Sequence, residues 1–71
     1  MKRLGKKQIE ALKGTIELRV YYSYCTLHSM YEIYRTNTGE RLGYVTYILA
    51  WELTRGKKIH KRLYDYDLYM V

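Results

Sequence analysis

Residues 15–24 alternate in character without a break. Ile16, Leu18, Val20, Tyr22 and Tyr24 fall on one side, and Thr15, Glu17, Arg19, Tyr21 and Ser23 on the other. Successive side chains of a strand point to opposite faces, so this pattern commits the segment to a strand whose apolar face needs a cover. A sheet with something packed on one side of it is therefore the starting point for the whole chain.

The flanking segments supply cover and partners. Across residues 2–13, Leu4, Ile9 and Leu12 share one helical side while Lys2, Lys6, Lys7 and Lys13 stay wet. Gly14 ends that run, and Gly5 weakens its first turn, which moves the expected helix start to Lys6. Residues 30–35 alternate again, with Tyr31 and Ile33 opposite Glu32 and Tyr34, and lead into a hairpin turn at 36–40 that contains Gly39. Residues 42–54 read as the next strand, with Val45, Tyr47, Leu49, Trp51 and Leu53 facing one way; a helix over 47–55 capped by Gly56 is the competing reading. Residues 55–58 then form a second turn, and 59–69 a last strand whose pattern slips at 63–65, as at a bulge. The expectation is a single α+β domain over residues 1–71, a short N-terminal helix packed on a four-stranded antiparallel β-meander. The other sheet face is left uncovered.

Composition bounds what such a domain does. A chain of 71 residues has room for one modest core and argues against a deep catalytic cleft. The single cysteine, Cys25, forms no bridge within the chain, which points to a reducing, cytoplasmic setting. No apolar stretch follows the basic Met1-Lys2-Arg3, and the apolar run at 47–51 is far too short to span a bilayer, so neither secretion nor a membrane is expected.

There are ten tyrosines and no phenylalanine at a net charge of +6. Tyrosine offers an apolar ring and a hydroxyl that needs a partner, so such a chain builds faces that also touch polar molecules. By alternation Tyr22, Tyr24, Tyr31 and Tyr47 belong to the core; a lone tryptophan among alternating apolar residues is usually buried, but the sequence leaves the place of Trp51 open. Tyr21, Tyr34 and Tyr44, with Arg19 and Arg35, form an exposed patch whose residue types suit a protein interface. Basic residues gather at the N-terminal helix, where Lys6 and Lys7 stand, and around the last turn, at Arg55, Lys57, Lys58, Lys61 and Arg62. Several cations beside aromatic rings suit phosphates and bases, and a basic hairpin can enter a DNA groove.

Catalytic patterns are missing. Cys25, His28 and His60, with Asp65 or Asp67, lack paired metal-ligand spacing, and Cys25 with His28 has no orienting or oxyanion group. Asp65 and Asp67 alternate on one strand face but balance the basic turn, and no phosphate-binding glycine motif occurs. The expectation is a small basic binding protein with no chemistry and no cofactor of its own, an accessory or regulatory factor that engages nucleic acid or a nucleoprotein. The alternative is a protein inhibitor of the kind phages and mobile elements direct at a host defence nuclease (anti-CRISPR-like or anti-restriction). A homodimer built by pairing edge strands or tyrosine-rich faces is the third expectation.

Overall fold

The computed structural model describes residues 2–22 and 28–71. The described residues form an α+β fold with one antiparallel five-stranded sheet and two helices. Its elements are α1 (Lys6–Ala11), β1 (Ile16–Tyr22), β2 (Ser29–Arg35), β3 (Arg41–Tyr44), α2 (Tyr47–Thr54), β4 (Lys61–Arg62) and β5 (Tyr66–Met70), and the strands lie in the order β3-β2-β1-β5-β4. The strand expected over 15–24 is present as β1, with residues 23–24 outside the described part, as is Tyr24 from the expected core.

Register explains the two faces. In β1 and β2, Leu18 stands opposite Ile33, and Val20 opposite Tyr31; on β5, Tyr69 is opposite Leu18. Both helices cover this face: Leu4, Ile9 and Ala50 pack with Ile16, Leu18, Ile33, Val45 and Val71 in one buried cluster. Ile9, Ile16, Leu18 and Ile33 are fully enclosed. Helix α1 begins at Lys6, where the Gly5 amide donates to the Gln8 Oε1 at 2.8 Å, and the Gly14 amide ties its far end to the Val71 carbonyl at 2.8 Å. The hairpin at 36–40 turns on Gly39, whose φ of 74° is one that side chains with a Cβ rarely adopt.

Two expectations are overturned. The strand read over 42–54 is β3 followed by α2. Thr46 caps the helix by accepting the Leu49 amide at 3.4 Å, and Ala50 seats it on the core. The competing helical reading of this segment is the right one. The single strand read over 59–69 is the hairpin β4–β5, and the irregularity at 63–65 is its turn rather than a bulge. The sheet is consequently no meander of four, because β5 returns to the free side of β1 and makes β1 the centre.

An arm of the chain closes one edge of the sheet. Residues 2–4 run beside β3, the Leu4 amide donating to the Tyr44 carbonyl at 2.8 Å and the Tyr44 amide to the Lys2 carbonyl at 2.9 Å. Gly43 permits this approach, since a methyl group there would collide with the Lys2 carbonyl and crowd the Leu4 side chain at 3.2 Å. No helix among the described residues is long and apolar enough to cross a membrane.

Candidate functional site

Charge pairing separates the cations held by the fold from those left over. Glu17 meets Arg19 at 2.7 Å, Glu32 meets Arg41 at 3.7 Å, Asp67 meets Arg62 at 3.1 Å, Glu40 meets Arg35 at 3.5 Å and Glu52 meets Lys6 at 3.8 Å. Among the described residues Lys2, Arg3, Lys7, Lys13, Arg55, Lys57, Lys58 and Lys61 have no ion pair, so the surplus of positive charge sits on them. They form two groups distant in sequence, on residues 2–13 and on residues 55–61. Lys13 and Lys57 line one crevice with Glu10 and Glu52, and the Lys57 ammonium also donates to the Met70 carbonyl at 3.4 Å.

Of the residues read as nucleic-acid contacts, Arg62 is committed to the buried Asp67 and Lys6 to Glu52. Lys7 and Lys58 are exposed, and Lys61 stands on the outer strand β4. Arg55 lies with its guanidinium 5.0 Å from the centre of the Trp51 ring. The turn expected at 55–58 is the link from α2 to β4, so these cations decorate a helix end and an edge strand, not the tip of a β-ribbon.

The helix-free face carries four of the five residues read as an interface: Arg19, Tyr21, Tyr34 and Tyr44. Arg35 lies opposite Ile16, on the other face. The group is knitted together. Tyr21 donates to the Tyr34 hydroxyl at 3.4 Å, Tyr34 donates to Glu32 Oε1 at 2.9 Å, and Arg19 lies over the Tyr34 ring at 3.8 Å and near Tyr66 at 4.9 Å. Tyr21 and Tyr66 rings approach to 4.7 Å. Glu32 is only 3% exposed on a face that no helix covers, because the long side chains beside it shut out water. Glu17, Glu32, Arg41 and Tyr66 complete this network without having been singled out by residue type, although the i, i+2 spacing of Glu17 with Arg19 and of Glu32 with Tyr34 places each pair on one face.

Protonation on this sheet follows from the same contacts. Burial, then hydrogen bonding to Tyr21 and Glu32, holds the Tyr34 phenol above its ordinary value. Tyr22 is pushed up to about 12, first by its hydrogen bond to Asp67 and then by burial. For Arg19 burial alone would lower the value, but hydrogen bonds to Tyr21 and Glu17 outweigh it and hold the guanidinium above its ordinary range. A phenol whose folded pKa is raised stabilises the fold fully below its unfolded value of 10.0 and loses that contribution as pH climbs through the folded value. Urea midpoints are therefore expected to hold steady up to about pH 10, where the unfolded phenols ionise, and to decline above it as pH climbs toward the folded values. Tyr34→Phe should show a shallower decline, with lysine deprotonation acting on both proteins alike.

Two side chains assigned to the core, Tyr47 and Tyr22, are at the surface instead, and so is Trp51, whose place the sequence leaves open. Tyr47 is 66% and Trp51 53% exposed, and Tyr22 is exposed as well. One cause places two of them: as parts of a helix, Tyr47 and Trp51 fall beside the buried Ala50 and not in register with β1. Ile48, at 70%, is the most exposed large aliphatic side chain among the described residues. Next to them runs a groove of about 170 Å³ floored by Val20, Tyr31 and Tyr69 and walled by Tyr47 and Trp51. Tyr31 meets Tyr47 edge to face at 6.0 Å.

No set of three His, Cys, Asp or Glu residues converges among the described residues, and Cys25 lies outside them. Asp65 is exposed in the β4–β5 turn while Asp67 is 2% exposed and engaged by Tyr22 and Arg62, so the two do not form a pair. Compared with known protein families, with curated proteins and with solved structures, the chain matches none.

Proposed function

We propose that this protein acts by binding nucleic acid, bare or within a nucleoprotein, as an accessory or regulatory factor without chemistry of its own. One observation carries the reading: five of the acids are spent on internal pairs, and the cations left without one form two groups, on residues 2–13 and on residues 55–61. Cations free of internal ion pairs are the ones able to displace the counterions of a phosphate backbone.

The test is anisotropy of labelled DNA and RNA titrated with the protein across a salt series. Binding is expected to weaken linearly in log salt. Replacing Lys57, Lys58 and Lys61 together by alanine should flatten that line by about 0.9 for each duplex phosphate that is no longer neutralised. These side chains are exposed, so the fold should be unaffected. Absence of binding at low salt, or a slope that the triple variant leaves unchanged, would overturn the reading.

A second reading rests on Ile48 and Tyr47, an exposed apolar stretch beginning α2 that phosphate binding does not need. It is a protein target, such as a defence nuclease whose nucleic-acid channel the protein would occupy as an inhibitor. A complex that survives the salt at which nucleic acid is released would favour it.

A further inference from the structure

We infer that the groove beside α2 receives an unstacked base, which makes single-stranded nucleic acid the substrate class; this deepens the nucleic-acid reading above and rests on it. The groove brings together four aromatic rings, Tyr31 and Tyr69 from the sheet and Tyr47 and Trp51 from the helix. The room between them exists because Ala50, the residue of α2 set against the core, carries only a methyl group and does not fill it. At about 170 Å³ the space is smaller than the clefts of roughly 300–1,000 Å³ that take drug-sized ligands, and suits one flat ring system.

Charge identifies the kind of ring. Arg55 lies over the Trp51 ring, its guanidinium 5.0 Å from the ring centre and outside the groove's lining, where it can meet the phosphate of a nucleotide whose base enters the groove. The one acid on the same sheet face near the groove floor is Asp67, opposite Val20, and Arg62 already neutralises it. The surroundings therefore favour an anionic molecule with an aromatic face. In a duplex those faces are hidden in the stack and only base edges are displayed, so an exposed indole finds a partner only on a strand whose bases are free.

Cations alone give the opposite preference, since a duplex packs phosphates more densely than a single strand. Tighter binding of single strands would thus require base contact. Trp51 is the chain's only tryptophan, so its fluorescence reports on the groove directly. Titration with oligo(dT), with a duplex of equal length and with an abasic strand is expected to give quenching and tighter binding for oligo(dT) alone. Trp51→Leu should weaken oligo(dT) binding about tenfold and leave duplex binding unchanged, with Trp51→Phe restoring part of the loss. Thermal melts of both variants should match the parent, because the ring is half exposed.

Equal affinity for oligo(dT), duplex and abasic strand, unaltered by Trp51→Leu, would overturn the groove's role while leaving the nucleic-acid reading standing. Failure to bind any of the three at low salt would overturn both, and would leave the groove to an apolar side chain of a protein partner.

Discussion

Replacing Ile33 by alanine is expected to remove a large share of this protein's stability. Ile33 is fully buried at the middle of β2, opposite Leu18 on β1 and Gly43 on β3. Truncations of this kind cost about 2–5 kcal/mol, the transfer free energy of the removed atoms plus the cavity left behind. At about 0.05–0.15 kcal/mol per residue, a chain of this length holds only roughly 4–10 kcal/mol. The variant should unfold at a clearly lower urea concentration with an unchanged dependence on denaturant. A loss below about 0.5 kcal/mol, the range of ordinary surface changes, would show that the core is not centred where Ile33 lies.

Gly43→Ala is the second large effect, and it acts on a different part of the molecule. The new methyl group would meet the Lys2 carbonyl, which is backbone and has no rotamer to swing away. The arm must therefore move. Both hydrogen bonds between residues 2–4 and Tyr44 would break, and Leu4 would leave its buried place beneath them. Two hydrogen bonds at about 1 kcal/mol each and a leucine at about 1.5–3 kcal/mol put the loss at roughly 3.5–5 kcal/mol before relaxation. Amide hydrogen exchange reads this locally: the Leu4 and Tyr44 amides should lose protection while those of β1 keep more of theirs. Retention of protection at both amides would mean that the arm is not what Gly43 accommodates.

The parts of the structure legible from the chain are those where one periodicity has no rival. In β1, polar residues interrupt apolar ones at every second position, and a helix would scatter both sets around its circumference. Residues 47–53 offer no such contrast. Tyr47, Ile48, Leu49, Ala50, Trp51 and Leu53 are apolar on both strand faces and on all sides of a helix, and a strand reading of Tyr47, Leu49, Trp51 and Leu53 cannot be told from a helical one by pattern alone. Thr46 is the available local signal, a capping residue directly before the run.

Pairing order is out of reach for a separate reason. Alternation assigns faces but not neighbours, so nothing in β5 announces that it joins β1 instead of continuing outward from β3. The site residues divide along the same line. Arg19, Tyr21, Tyr34 and Tyr44 can be placed together because period two holds through β1 and β2. The groove cannot be foreseen, since it exists only once residues 47–54 coil and set Trp51 over the floor made by Tyr31 and Tyr69.

The arm beside β3 also bears on stoichiometry. Polymer growth by strand addition requires every copy to offer two free sides, much as a chain link needs two ends. Here the N-terminal arm occupies one side, and the other, β4, pairs through only Lys61 and Arg62, both charged and exposed. Two copies meeting along β4 would each turn an occupied β3 side outward. Association by that route ends at a symmetric pair and does not propagate into a filament.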